Sequence, residues 1–216
     1  MSGIAERIAA LRELMAAKGI DIYIVPTADF HQSEYVGEHF KARKFITGFT
    51  GSAGTAVITQ KEAGLWTDGR YFIQASNQIK DTPVTLFKMG EPGVPAIPEY
   101  LELKLPEGGT LGFDGRVVSM SEGIEYEKIT RQKSGKINCE LDLIDQIWAG
   151  RPVLSEEKAF ILEAKYAGES VASKLKRIRR EMKKHGSDVH ILNTLDDICW
   201  TLNIRGNDIE FFPLVL

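Results

Sequence analysis

Four histidines and one pair of neighbouring aspartates are the side chains of this chain best suited to hold a metal ion or move a proton. A metallohydrolase centre needs several carboxylates and usually a histidine converging on one or two cations. His31 and His39 stand eight residues apart and His185 and His190 five apart, the latter pair across a helix end. None falls into HExxH, where two imidazoles one turn apart face one zinc. Asp196 and Asp197 are adjacent, and side chains of adjacent helical residues diverge. Asp196 fits instead as the N-cap of a helix running into Ile198-Cys199-Trp200. The spacing therefore predicts no catalytic residue and no metal ligand set in these residues, and histidines that are exposed or locally bonded.

The passage 47–72, TGFTGSAGTAVITQKEAGLWTDGRYF, concentrates the other uncommon local demands. Gly48, Gly51 and Gly54 punctuate a tight turn, and residues 55–59 and 64–67 read as two short strands joined by 60–63. The glycines have neither GxGxxG order nor a closing GK[ST], so the reading is close backbone packing rather than a nucleotide site. Asp68 stands where an N-cap belongs, before a helix starting at Gly69 with Arg70 and Tyr71 on its first turn. The Arg70 guanidinium can hold a carboxylate with two hydrogen bonds, either from a structural acid or from a peptide terminus.

Composition narrows the class. Charged residues are 26% of the 216 and the net charge is −3, and no apolar run approaches the roughly 20 residues that span a bilayer. Glu6, Arg7, Arg12 and Glu13 interrupt the amino-terminal segment, which reads as a folded helix of a cytoplasmic protein rather than a secretory signal. Cys139 and Cys199 form no CxxC pair, so they are expected to be reduced and mainly buried. The basic cluster 174–184 carries Val171, Leu175, Ile178 and Met182 at helical spacing, which predicts an amphipathic helix with a solvated basic face, not a nucleic-acid or membrane contact.

Positioning elements follow from periodicity. Ile4, Ile8, Leu11 and Met15 share a helical face, Gly19 can end that helix, and 21–25 turns strand-like. Further strands are expected at 84–87, 110–113 and 136–139, alternating with helices at 97–105, 119–132 and 142–148, which gives an α/β layer fold. The hairpin at 55–67 makes the sheet mixed. Gly150, Pro152 and Gly168 flank a polar stretch, so the expected organisation is one domain over 1–150, a linker over 151–167 and a second unit from 168. Gly19, Asp21, Thr27 and Asp29 recur 167 positions later as Gly186, Asp188, Thr194 and Asp196. Residues 203–208 then echo 47–52 at a shorter offset. Such a tandem repeat predicts that 168–216 is the truncated beginning of a second copy of the first domain, ending in an unfinished strand at 211–216.

Together with His31-Gln32-Ser33-Glu34-Tyr35 and the run Leu202–Asp208, the 47–72 passage resembles the amino-terminal half of the three-domain Xaa-Pro aminopeptidases of the creatinase and prolidase superfamily. The resemblance extends over nearly the whole chain in the same order. It implies a creatinase N-terminal-like, ribonuclease H-like α/β fold with a mixed sheet flanked by helices. It further implies a non-catalytic region that caps an active site and supports oligomer contacts, while two divalent metal ions, typically manganese, act in a carboxy-terminal catalytic domain outside this sequence.

Partners implied by the resemblance are the protein's own catalytic domain, a second copy in a homodimer, and a peptide substrate with proline in second place. In the resembling enzymes the amino-terminal region lies near the rim of an active site, sometimes that of a neighbouring subunit. His31, Tyr35, Trp66, Arg70, Tyr71 and Arg205 are accordingly the substrate-rim candidates, with structural packing as the alternative for each. A creatinase- or prolidase-like parent and a stand-alone ligand-binding module are the rival readings.

Overall fold

Ile8, Leu11 and Met15 are buried along one face of helix α1 (Ile4–Lys18), and Gly19 ends it in the left-handed conformation at φ 66°, a geometry that costs glycine least. The chain then enters β1 (Ile22–Pro26), the strand around which the first of two compact units is assembled. The computed structural model describes residues 3–216. It divides them into one unit made of the chain up to Ala28 with Phe40–Pro152, and another made of Asp29–His39 with Val153–Leu216.

In the first unit β1 is followed by α2 (Ala42–Thr47), the hairpin β2 (Thr55–Thr59) and β3 (Ala63–Thr67), α3 (Phe72–Ile79), β4 (Thr85–Lys88), α4 (Ile97–Lys104), β5 (Thr110–Phe113), α5 (Met120–Gln132), β6 (Lys136–Asn138) and α6 (Leu143–Ile147). The six strands form one sheet in the order β4-β3-β2-β1-β5-β6. The β1–β2 and β2–β3 pairs are antiparallel and the other three parallel. Strand side chains alternate between faces, and both faces are covered. Tyr23, Val25, Ala56, Ile58 and Leu65 pack with Leu11, Ile46, Ala75 and Ile144 on one side. Ile22, Ile24, Val57 and Trp66 pack with Tyr100, Leu101, Tyr126 and Ile129 on the other. A mixed sheet between two helical layers is the expected fold class.

The second unit contains β7 (Phe160–Ile161), α7 (Ala164–Ala167), α8 (Val171–Lys184), α9 (Leu195–Leu202) and β8 (Ile204–Arg205). Its two strands pair antiparallel, and Leu195, Cys199, Ile209 and Leu214 make a small core. Gly186 follows α8 at φ 62°, as Gly19 follows α1.

Several local expectations are corrected. Asp68 does not cap a helix from Gly69: α3 starts at Phe72, with Tyr71 at the cap position, and the Asp68 carboxylate turns to its own neighbour Arg70. Thr194, not Asp196, occupies the N-cap position of α9, which leaves Asp196 in the first turn. Residues 211–216 form no strand: Ile209 and Phe212 make an isolated bridge, and Phe211 stands 95% exposed. Residues 189–193, the counterpart of β1, also carry no strand assignment. Cys139 is exposed, while Cys199 is buried. Lys174, taken from sequence as part of the solvated face of α8, is buried.

Candidate functional site

The glycine-rich loop between α2 and β2 is held from within by Arg43, a residue that sequence reasoning passed over. Its guanidinium is buried at 3% exposure. Nε donates to Thr27 Oγ1 at 2.9 Å, Nη1 to the Phe49 carbonyl at 2.6 Å and Nη2 to the Gly51 carbonyl. The cation lies 4.6 Å from the Phe49 ring centroid, a favourable cation–π geometry. Burial lowers its pKa well below the usual arginine value, to about 10, because desolvation penalises the charged form. An arginine on a short helix, one turn before a glycine-rich stretch, is the only trace of this in the sequence.

Other side chains complete the hold. Thr67 Oγ1 donates to the Ala53 carbonyl, and both the amide and hydroxyl of Thr27 donate to the Gly54 carbonyl. Ser52 Oγ and Tyr71 Oη share a hydrogen bond of 2.7 Å. Gln74 and Gln78 donate to Thr50 Oγ1, and Gln78 accepts from the Thr50 amide. A Cβ at Gly51 would meet Phe49 Cζ at 2.2 Å and Tyr71 Cδ1 at 2.7 Å, so glycine is required there by space.

Two candidate rim residues stand beside this loop. Tyr71 contributes the hydroxyl just described and an edge-on contact with Phe49 at 5.8 Å. Arg70 binds Asp68 with both Nε and Nη2 at 2.9 Å, its side chain still 67% exposed. Hydrogen bonding to Arg70 lowers the Asp68 pKa, since the pair favours the ionised carboxylate. Trp66 is corrected to a core residue: it is 0% exposed, stacks on Phe87 at 3.9 Å and donates Nε1–H to the Pro95 carbonyl. No peptide reaches that ring while the unit is folded.

The remaining candidates belong to the second unit. His31 Nδ1 sits 2.8 Å from the Asn193 carbonyl, which requires the proton on Nδ1. Tyr35 packs edge-on against Phe212 at 5.6 Å. Arg205 Nη1 donates to the carbonyls of Cys199 and Ile204. These groups tie segments of that unit together. Lys174 does so more strongly, donating to the Trp200 carbonyl and Asn203 Oδ1 at 2.7 Å each, with its ammonium 4.1 Å from the Trp200 ring centroid. Among the described residues, no three His, Cys, Asp or Glu side chains converge as metal ligands.

The order of these elements is shared with known proteins. The family model described as the creatinase/prolidase N-terminal domain matches residues 7–145, and a second model of the same description matches 150–216. The chain belongs to the creatinase/prolidase N-terminal domain family. A probable Xaa-Pro aminopeptidase P of Talaromyces marneffei is 43% identical over 97% of this chain and 32% of its own length. Aminopeptidase P2 of Arabidopsis thaliana is 38% identical over 98% of this chain and 30% of its own length. The solved X-prolyl aminopeptidase of Caenorhabditis elegans, described as a cytosolic enzyme with a di-nuclear active site, superposes with a TM-score of 0.89 at 33% identity, covering 99% of this chain and 36% of that one. This member of the creatinase/prolidase N-terminal family thus spans about a third of the length of the relatives it matches.

Proposed function

We propose that this chain is the non-catalytic amino-terminal region of an Xaa-Pro aminopeptidase, an enzyme that hydrolyses the bond between an N-terminal residue and a following proline. The observation that carries this is the match of nearly the whole chain to Xaa-Pro aminopeptidases at around 40% identity while covering only about a third of each. Chemistry belongs to the catalytic remainder of the protein, where a pair of divalent ions, manganese by our reading, activates water for attack on the scissile carbonyl. The C. elegans relative, with its di-nuclear site and cytosolic location, supports the metal pair and a cytoplasmic setting.

Within this reading the first unit caps the active site and restricts access to it, and Arg70 and Tyr71 face the substrate rim. Residues 168–216 begin a second copy of the domain. The shared family description of the two segments and the matching left-handed glycines after α1 and α8 support the repeat. Oligomer contacts, as a homodimer, are the second role assigned to the chain. The test is a proline-peptide hydrolysis assay with added manganese. The chain alone should release no N-terminal residue, and the whole protein should; turnover by the chain comparable to that of a full-length relative would overturn the division of labour.

A further inference from the structure

The loop 49–54 is polarised. Its carbonyls at Phe49, Gly51, Ala53 and Gly54 all accept hydrogen bonds from Arg43, Thr67 or Thr27. Its amides at Gly51, Ser52, Ala53 and Gly54 have no acceptor among the described residues, although Gly51 is buried and the other three are half-buried. Successive free amides are what an anion binds. The Arg43 cation beside them has no carboxylate within ion-pair distance among the described residues and is held by neutral oxygens alone. Around the loop, Thr50, Ser52, Tyr71, Gln74 and Gln78 are neutral, and Asp68, three residues before Tyr71, is engaged by Arg70.

We propose that the four consecutive amides of Gly51 to Gly54, backed by the buried Arg43 guanidinium, form a cradle for a peptide carboxylate. The choice of a peptide as the carboxylate's source rests on the functional reading above; the cradle itself rests on the loop. The bonds from Arg43, Thr67 and Thr27 to the loop carbonyls keep the backbone in place, so binding needs little reordering of the loop.

The test is an amide chemical-shift titration of the isotope-labelled chain with a short peptide carrying a free C-terminal carboxylate, with the same peptide as its C-terminal amide, and with inorganic phosphate. Saturable shifts confined to the amides of 51–54, present with the carboxylate, absent with the amide and weakened by salt, are expected. Arg43→Met should weaken the interaction by about tenfold or more, the equivalent of about 1.4 kcal/mol, while Lys128→Ala, on the exposed side of α5, should leave it unchanged. No shift at these amides, equal shifts with the amidated peptide, or binding of phosphate alone would each overturn the proposal. So would undiminished binding to an Arg43→Met variant that keeps a dispersed spectrum; if that variant does not fold, the parent's titration decides. Absence of shifts in a chain whose whole protein hydrolyses proline peptides would sink the cradle and leave the functional reading standing.

Discussion

Replacing Arg43 by methionine tests whether a buried cation without an acid partner stabilises the first unit. Methionine keeps most of the aliphatic stem and removes three donors, to Thr27 Oγ1 and to the Phe49 and Gly51 carbonyls. Hydrogen bonds from a charged donor contribute about 1.5–3 kcal/mol each, so their loss amounts to about 4.5–9 kcal/mol before compensation. Against this stands relief of the desolvated charge. The fall in pKa to about 10, about 2.5 pH units at about 1.4 kcal/mol each, corresponds to about 3.5 kcal/mol. The net expectation is a destabilisation of about 1–5.5 kcal/mol, a sizeable part of the roughly 5–15 kcal/mol that holds a domain folded. Native-state hydrogen exchange of the β1 and β2 amides is the assay, because their slowest exchange reports opening of the whole unit. Protection should fall by about fivefold or more, which is the lower bound of about 1 kcal/mol. An Arg43→Met variant within about 0.5 kcal/mol of the parent would show that water satisfies those carbonyls and that the arginine is not the loop's internal support.

Trp66→Ala should cost about 3–5 kcal/mol, since the ring is fully buried and stacked on Phe87; urea unfolding followed by circular dichroism checks this, and a near-neutral result would contradict its place in the core. Gly51→Ala should lower the melting temperature of the first unit by several degrees, because the added methyl group collides with Phe49 and Tyr71. Lys174→Met should destabilise the second unit by about 2–4 kcal/mol, as it strands the Trp200 carbonyl and Asn203 Oδ1, and exchange at the α9 amides is the readout. Glu62 has its pKa lowered by hydrogen bonds from Lys104 and Tyr100. A depressed carboxylate pKa contributes stability that is complete above the ordinary value of 4.5 and is lost as pH falls through the folded-state value. Glu62→Gln should accordingly show a shallower loss of stability below about pH 4.5 than the parent in acid titrations.

The sequence by itself determined the alternation of helices and strands, because each element carries its own period. The spacing of Ile8, Leu11 and Met15 marks α1, Gly19 its end, and the apolar runs at 55–59 and 110–113 mark strands of the observed limits. The signature residues from His31 to Asp208 were enough to expect the creatinase/prolidase family, since their order along a chain is a one-dimensional property. Only the tertiary structure decided which polar residues turn inward. Arg43, Lys174 and Trp66 look no different in sequence from exposed arginine, lysine or a rim tryptophan, and their burial depends on partners outside their own helix or strand. Cap assignments failed for the related reason that Asp68 had two competing acceptor roles within three residues. Its carboxylate accepts from the Arg70 amide and takes two charge-assisted bonds from the Arg70 guanidinium, while α3 starts only at Phe72. Local periodicity is written in the chain; the sign and satisfaction of a buried charge are settled by whatever the fold brings beside it.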